Sequence, residues 1–190
     1  DNLVNSEKII KKNIDLNSEH DVNVFIDSID KSQTSINDIW HLAANSDIPA
    51  GVKDYKVDFE NTFMTTIGVA NLSRVLKPNN ILFASSSAVY GNYLGQPLSE
   101  KSSSLLPISS YGAYKLASEA ILSSLIEELP GTRLYLYRFP NVVGTPATHG
   151  VIYDFISRLK INSSMLQVLG DGTQAKEYLH VDDLLSAMLH

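Results

Sequence analysis

Cysteine is absent from this 190-residue chain, which excludes disulfide bonds and thiolate metal sites. No apolar run approaches the roughly 20 residues that a membrane-spanning helix needs, and no secretory leader is recognisable. Positive charge is scarce as well, because 15 Lys and Arg oppose 21 Asp and Glu for a net charge of −6. These absences argue against a membrane protein and against a general nucleic-acid-binding protein, so we expect a soluble, cytoplasmic domain.

What the sequence does contain is an alternation of strand-like and helix-like segments. Its hydrophobic content of 44% is enough for a core in a domain of this length. Short apolar runs at residues 38–44, 81–84 and 134–139 are typical of buried strands. Apolar residues recur at helical spacing in residues 55–76 and 111–129, which predicts two long helices. The pattern therefore predicts an α/β domain.

One stretch combines side chains that can handle protons. The predicted strand of residues 81–84 ends at three serines, and a later helix is predicted to carry Tyr111 and Lys115 one turn apart on the same face. A tyrosine with a pKa of about 10 is a poor base at neutral pH, but a neighbouring ammonium favours its phenolate. A serine hydroxyl can then hold a substrate oxygen while the tyrosine transfers the proton. The alternative is an ordinary helix start, because Tyr-x-x-x-Lys often occurs by chance.

The stretch Ser-Ser-Ser-Ala-Val-Tyr-Gly at residues 85–91, followed by Tyr111-x-x-x-Lys115, resembles the extended short-chain dehydrogenase/reductase family, with its nucleotide-sugar epimerase/dehydratase branch as the best fit. In that family the serine four places before the Tyr-Gly is catalytic, which selects Ser86, and this serine lies 25 residues before Tyr111. The resemblance implies that Tyr111 is the catalytic base. It also implies that Lys115 lowers the pKa of Tyr111 and holds the nicotinamide ribose.

The same resemblance implies the fold and the cofactor. It predicts a Rossmann-like doubly wound parallel sheet that lacks its first βαβ portion, followed by the start of a small C-terminal substrate lobe. The expected bounds are residues 1–143 for the NAD-binding core and 144–190 for the lobe. The implied cofactor is NAD, although the chain has no Gly-x-x-Gly-x-x-Gly turn and its first glycine is Gly51. We therefore expect a chain that is truncated at both ends relative to the family.

Several further positions match the family's cofactor contacts. Besides Tyr111 and Lys115, the resemblance implies that NAD is contacted by Asp1, Asp15, Leu16, Leu42, Ala43, Ala44, Asn61, Ala84, Ser85 and Phe139. Asp1 would bond the adenosine ribose, and Asn61 would bond backbone near the active-site strand. The alternatives are a solvated terminal residue for Asp1, a surface turn for Asp15 and an exposed helical amide for Asn61. His41 is expected to be a structural histidine.

The substrate contacts implied by the resemblance come from four parts of the chain. They are Ser46, Ser86, Ser87, Asn141 and Lys176. The family has an arginine at the last position, which clamps a nucleotide diphosphate; Lys176 supplies the charge without the planar fork, and a solvated lysine is the alternative. The expected partner is a nucleotide sugar, with a UDP-sugar as first choice, and no metal is expected.

The residues after Ser86 distinguish between the reactions of this branch. The family's 4,6-dehydratases carry an Asp-Glu pair directly after the catalytic hydroxyl residue, whereas this chain has Ser87 and Ala88. The resemblance therefore favours a UDP-glucose/UDP-galactose 4-epimerase, which oxidises its sugar transiently, rotates the keto sugar and reduces it again. A related NAD(P)-dependent reductase, decarboxylase or dehydratase stays open, as does a non-catalytic truncated remnant. By analogy, the two long helices predict a homodimer.

Overall fold

A computed structural model of the chain describes residues 10–29, 35–92, 97–102, 104–147, 150–168, 170–173 and 175–189. These residues form two compact units that divide between Arg138 and Phe139. A three-stranded sheet lies in the first unit, and a two-stranded sheet lies in the second. Among the helices of the described residues, none is both long and apolar enough to cross a bilayer.

The first unit alternates strands and helices, as the sequence pattern predicts. Its elements are α1 (Glu19–Asp27), β1 (Asp38–His41), α2 (Ile48–Lys53), α3 (Tyr55–Asp58), a π-helical turn (Phe59–Met64), α4 (Thr65–Leu76), β2 (Asn80–Ser86), a 3-10 turn (Ser87–Tyr90), α5 (Ser110–Glu128) and β3 (Arg133–Phe139), which ends at the unit boundary. The strand order is β1-β2-β3, and β1 runs parallel to β2 with Asp38 opposite Asn80. The α/β class is therefore confirmed, with helices that connect successive strands.

The core of the first unit lies between β2 and the helices α4 and α5. Ile81 and Phe83 of β2 are fully buried and belong to one cluster with Leu122 and Leu125 of α5 and Ala70 of α4. Each fully buried side chain of the larger kind contributes about 1.5–3 kcal/mol to stability. Helices cover the strand, which explains why its sequence is an apolar run without alternation. This packing holds the end of β2 against the first turns of α5.

The long helix predicted over residues 55–76 is present, but a π-helical turn divides it into α3 and α4. The π turn widens the helix locally by closing hydrogen bonds five residues apart instead of four. Thr62 and Thr66 are fully buried in this region. The helix ends at Leu76, the capping residue Lys77 is left-handed with φ 48, and the following Pro78 could not continue it.

The second long helix, α5, begins one residue before the predicted start. The side chain of Ser109 caps it by accepting a hydrogen bond from the amide of Gly112 at 3.1 Å. A Cβ at position 112 would lie only 2.6 Å from the carbonyl oxygen of Ala88. Glycine at this position therefore lets the first turn of α5 lie directly against the turn that follows β2.

The second unit contains β4 (Asn141–Val143), α6 (Val151–Ile161), β5 (Tyr178–His180) and α7 (Val181–Met188). β4 and β5 are parallel, with Asn141 opposite Tyr178. This pairing joins β4 to the second unit, so the units divide before that strand, whereas the predicted boundary follows residue 143. The difference arises because the partner strand of β4 lies far along the chain, where a local pattern does not reveal it.

Candidate active site

Ser86 is the last residue of β2 and presents its hydroxyl at the carboxyl end of the strand. Its backbone is extended, and its Oγ accepts a hydrogen bond from the amide of Ala88 at 3.1 Å, which caps the 3-10 turn. β1 runs in the same direction and ends at His41, opposite Phe83. The residues that follow both strands therefore lie at one edge of the sheet, where ligands of open parallel sheets bind.

Tyr111 and Lys115 lie in the first turns of α5 and face the end of β2. The Tyr111 hydroxyl lies near enough to the Ser86 side chain for the serine to shift the pKa of the phenol. The Lys115 ammonium donates to the carbonyl of Ala84 at 2.5 Å. Its Nζ lies 4.7 Å from the centre of the Phe83 ring and 5.8 Å from the centre of the Tyr111 ring. The structure thus brings the three predicted catalytic side chains together at one strand end.

The pKa of Tyr111 is raised above its ordinary value of 10.0, chiefly because burial disfavours the phenolate. The hydrogen bond with Ser86 lowers it, and the charge of Asp58 raises it. The direction is opposite to the predicted lowering by Lys115. The reason is that the buried phenol loses hydration, while the Lys115 ammonium is directed at a backbone carbonyl. In this environment Tyr111 is a proton donor, and further positive charge would be needed to make it a base.

Lys115 has the properties of a ligand-binding ammonium. Burial lowers its pKa to about 8, although the charge of Glu119 opposes the shift. An ammonium has three N–H donors, and the described residues supply one hydrogen-bond acceptor, the Ala84 carbonyl. A buried cation with donors to spare fits a hydroxyl-bearing ligand, such as the ribose of a nicotinamide nucleotide.

The residues predicted to line NAD after β1 lie at the same edge of the sheet as Ser86. Leu42 and Ala43 are exposed, Ala44 is half-buried, and Ser46 is exposed further along this loop. The small alanine side chains leave the loop backbone open to a ligand. The ligand contacts of these residues stay predictions.

Ser85 directs its hydroxyl into the protein rather than towards the sheet edge. Its Oγ donates to Glu119 at 2.5 Å, and Glu119 forms an ion pair with Arg138 at 2.7 Å. The Arg138 guanidinium also lies 5.0 Å above the ring of Tyr90. This network joins β2, α5 and β3 behind the site. The side chain of Ser85 therefore supports the site, and the cofactor contact predicted for Ser85 stays a prediction.

Asn61 does not bond the backbone near the active-site strand as predicted, and its predicted NAD contact stays a prediction. It is exposed, and its Nδ2 donates to the Val57 carbonyl of its own helix at 3.0 Å. The next residue, Thr62, accepts a hydrogen bond from the amide of Asn45 at 3.0 Å. The Thr65 hydroxyl lies 3.3 Å from the carbonyl of Ala43, although its shorter hydrogen bond goes to the carbonyl of Thr62 at 2.8 Å. The π turn changes which side chains face the loop after β1. A sequence pattern that assumes 3.6 residues per turn does not reveal this change.

A buried carboxylate that no sequence pattern singled out lies behind the first turn of α5. Asp58 is 0% exposed, and its Oδ2 accepts a hydrogen bond from the hydroxyl of Ser110 at 2.6 Å. Its Oδ1 accepts one from the Asn45 side chain at 2.7 Å. An acid near the start of a helix is normally solvated, so the sequence held no signal for this burial.

Two predicted adenine contacts lie in the turn before α1. Asp15 accepts a hydrogen bond from the amide of Asn17 at 2.9 Å, as a turn aspartate does. Leu16 packs against the cluster formed by Val22, Ile26 and other residues of α1 and α4. Asp1 lies outside the described residues. These cofactor roles stay predictions.

The remaining predicted contacts follow β2 or lie in the second unit. Ser87 begins the 3-10 turn after β2, and Phe139 is half-buried at the end of β3. Asn141 donates from its Nδ2 to the carbonyl of Glu177 at 3.1 Å, and Lys176 is exposed. Over the ranges that the structure describes, no three histidine or acidic side chains are grouped so as to hold a metal ion.

Comparison with known proteins connects this geometry to a family. The sequence profile of the NAD dependent epimerase/dehydratase family matches residues 6–190. The UDP-glucose 4-epimerase of Lacticaseibacillus casei is 30% identical over 174 residues, which cover 82% of this chain and 51% of that protein. UDP-glucuronate 4-epimerase 4 of Arabidopsis thaliana is 32% identical over 164 residues, which cover 82% of this chain and 36% of that protein.

A solved structure shows the same fold. The crystal structure of a UDP-galactose 4-epimerase matches with a TM-score of 0.78 and 32% identity, over 93% of this chain and 54% of that one. The chain thus spans about half the length of such relatives, or less. The likeness confirms the predicted Rossmann-like α/β fold. Together with the profile match, it shows that this chain is a member of the NAD dependent epimerase/dehydratase family.

Proposed function

We propose that the protein is a 4-epimerase that interconverts UDP-glucose and UDP-galactose with the help of NAD. The observation that carries the proposal is the meeting of Ser86, Tyr111 and Lys115 at the carboxyl end of β2. Membership of the family and the 30% identity to the L. casei UDP-glucose 4-epimerase support it. Because the chain spans about half of its relatives, the proposal concerns the activity of the whole protein.

Lys115 would hold the cofactor through its spare N–H donors, with the backbone at Ala43 and Ala44 beside it. When bound, oxidised NAD supplies the hydride acceptor and a positive charge. A nearby positive charge favours the phenolate of Tyr111, and so opposes the upward pKa shift that burial produces. The tyrosine would then be able to accept a proton near neutral pH.

Tyr111 and Ser86 handle the substrate proton. The Ser86 hydroxyl donates a hydrogen bond to the C4 oxygen of the sugar, while the Tyr111 phenolate takes the proton of the C4 hydroxyl. The C4 hydrogen would be accepted as a hydride by the cofactor held by Lys115, which would leave a ketone at C4. After the keto sugar rotates, the same hydride would be given back to its other face, and Tyr111 would return the proton to the oxygen. Over the complete reaction there is no net consumption of protons or of a reductant.

The residues next to Ser86 favour epimerisation over dehydration. Removing water from a sugar requires acid and base groups near the leaving hydroxyl, and Ser87 and Ala88 provide neither. A second candidate substrate is UDP-glucuronate, which the 32% identity to the Arabidopsis enzyme favours. The two sugars differ at C6, where a carboxylate replaces a hydroxymethyl group. The proposed substrate contacts beyond the catalytic residues are Ser46, Ser87, Asn141 and Lys176.

We also propose that the protein is a homodimer, in line with the family resemblance. Phe59, Phe63 and Tyr114 form an aromatic cluster on the π turn and α5, with ring centres 5.7 to 6.1 Å apart. Phe59 is still 37% exposed in one chain. A partly exposed aromatic cluster on two long helices supports an interface with a second copy.

The substrate proposal is tested by incubating the purified protein with UDP-galactose, without added NADH, and separating the nucleotide sugars by anion-exchange chromatography. We expect UDP-glucose to accumulate up to an equilibrium mixture. Parallel incubation with UDP-glucuronate distinguishes the second candidate. Turnover that consumes NADH in proportion to product would instead indicate a reductase.

The role of Tyr111 is tested by Tyr111→Phe, which removes the group that accepts the proton. We expect kcat to fall by about 10²- to 10⁴-fold, with NAD binding retained in isothermal titration. The matched control is Tyr114→Phe on the same helix, because the Tyr114 ring packs against Phe59 and Phe63. The kcat of this variant should stay within about twofold of the wild-type value. Near-normal turnover of Tyr111→Phe would contradict the assignment, and absence of NAD binding by the wild-type protein would favour a non-catalytic remnant.

A further inference from the structure

Asp58 is the point at which three other parts of the first unit meet. It ends α3 and is fully buried. Ser110 of α5 donates to its Oδ2 at 2.6 Å, and Asn45 of the loop after β1 donates to its Oδ1 at 2.7 Å. Each carboxylate oxygen therefore has a hydrogen bond, as a buried acid requires.

Gly51 of α2 provides the space for this carboxylate. A Cβ at position 51 would lie 2.0 Å from the Asp58 Oδ2. The Gly51 carbonyl also lies 3.2 Å from the Ser110 hydroxyl, as a second and weaker acceptor for the one proton that is donated to Asp58. A larger residue at position 51 would displace the carboxylate from Ser110.

The contacts of Asp58 lead directly to the proposed base. Ser110 is the first residue of α5, and Tyr111 follows it in the same helical turn. On the other side, Asn45 is held by Thr62 through its backbone amide at 3.0 Å. Asp58 therefore joins the loop that carries Ser46 to the helix turn that carries Tyr111.

We propose that Asp58 is a positioning residue: by anchoring Ser110, it holds Tyr111 in position relative to Ser86. Through its hydrogen bond with Asn45, Asp58 also makes the position of Tyr111 depend on the loop after β1. The inference rests on the 4-epimerase function proposed above, because that function makes Tyr111 the base. Asp58 itself acts through other residues, since its side chain is buried and its hydrogen bonds go to Ser110 and Asn45.

The charge of Asp58 gives the proposal a second readout. The groups that face Tyr111 are the Ser86 hydroxyl from β2, Asp58 from α3 and Lys115 from α5 itself. Lys115 is in turn influenced by Glu119 on α5, and its charge acts on His41 of β1. Because the negative charge of Asp58 raises the pKa of Tyr111, an amide in its place should lower that pKa while keeping most of the shape.

The test compares Asp58→Ala, Asp58→Asn and Ser110→Ala with the wild-type protein. We expect Asp58→Ala to lower kcat about 10- to 100-fold with KM changed less than about threefold, since misplacement of the base by about 1 Å costs that much. The kcat of Asp58→Asn should be at least about tenfold higher than that of Asp58→Ala. In the same variant, the acid limb of the kcat/KM profile should move to lower pH. Ser110→Ala should lower kcat without that movement. If Asp58→Ala does not fold, the other two variants carry the test.

The control is Asp54→Asn, which removes an exposed acid that caps α3 through the Lys56 amide. It should leave both kcat and the pH profile as in the wild type. Unchanged kcat in Ser110→Ala, together with an unmoved acid limb in Asp58→Asn, would overturn the proposal.

A measurement without turnover separates this inference from the proposed function. The ionisation of Tyr111 can be followed as the tyrosinate absorbance that the Tyr111→Phe variant lacks. Asp58→Asn should move this ionisation to lower pH, and Asp54→Asn should not. If the protein epimerises no UDP-sugar, the proposed function fails, and the titration alone decides whether Asp58 acts on Tyr111; an unmoved titration would then overturn the inference.

Discussion

The imidazole of His41 is buried beside Phe83, with Nε2 2.9 Å from the hydroxyl of Thr66. Within the part of the chain that the structure describes, its Nδ1 has no partner. The pKa of His41 is lowered to about 3, because burial disfavours the imidazolium and the charge of Lys115 repels it. A neutral ring that donates from Nε2 leaves only an acceptor unpaired, which is less costly than an orphaned N–H. This environment supports the predicted structural role.

Acidification should therefore destabilise the protein through His41. The unfolded chain binds a proton below pH 6.5 and the folded chain only below about pH 3, so the free energy of unfolding falls as the pH drops through this window. Between pH 6.5 and about pH 5 the loss amounts to about 2 kcal/mol. Urea unfolding at both pH values measures it. His41→Gln keeps a donor for Thr66 and should lose this dependence; an equal loss in both proteins would contradict the assignment.

At the scale of elements, α4 packs against the turn before α1 at a distance that only glycine permits. A Cβ on Gly68 would lie 2.1 Å from the carbonyl oxygen of Leu16. Next to this contact, Leu72 and Leu76 of α4 pack with Leu16 and residues of α1. The close approach at Gly68 therefore determines how α1 and the turn before it pack against α4.

Gly68→Ala should separate α4 from this turn. We expect a loss of about 1–3 kcal/mol from the strained contact, although alanine by itself favours a helix by about 1 kcal/mol over glycine. Asn71→Ala, at an exposed position of the same helix, is the matched control and should be as stable as the wild type or slightly more stable. Urea unfolding at neutral pH measures both. If Gly68→Ala has the free energy of unfolding of the wild type, the turn before α1 can move away from α4 without loss of stability, and the prediction is wrong.

At the scale of the whole molecule, the proposed catalytic side chains all lie in the first unit, and Asn141 and Lys176 lie in the second. The proposed dimer interface contains the aromatic cluster of the first unit. Phe59→Asp places a charge in that cluster and should give a particle with the mass of one chain, where the wild type has twice that mass. Light scattering coupled to size-exclusion chromatography measures the difference.

The control for this experiment is Val24→Asp on α1, where an apolar side chain is 55% exposed outside the aromatic cluster. It should leave the mass unchanged. A wild-type protein with the mass of one chain at all concentrations would refute the dimer.

Much of the candidate site was predictable because its geometry is local. The spacing of four positions from Tyr111 to Lys115 places both on one helical face, and the apolar run before Ser86 predicts a strand that ends at this serine. Asp58 was not predictable, because its partner Ser110 lies 52 residues away. Thr62 was not predictable either, since the π turn changes the helical phase.

The sequence by itself determined the alternation of strands and helices, the pairing of Tyr111 with Lys115 and the serine at the strand end, since these follow from short apolar runs and from the helical period of 3.6 residues. Only the tertiary structure decided which groups are buried and which partners they have. Burial and these partners determine the direction in which the pKa of Tyr111 is shifted: it is raised, although a neighbouring residue is a lysine. The physical reason is that desolvation and hydrogen bonding depend on residues that folding brings together from distant parts of the chain.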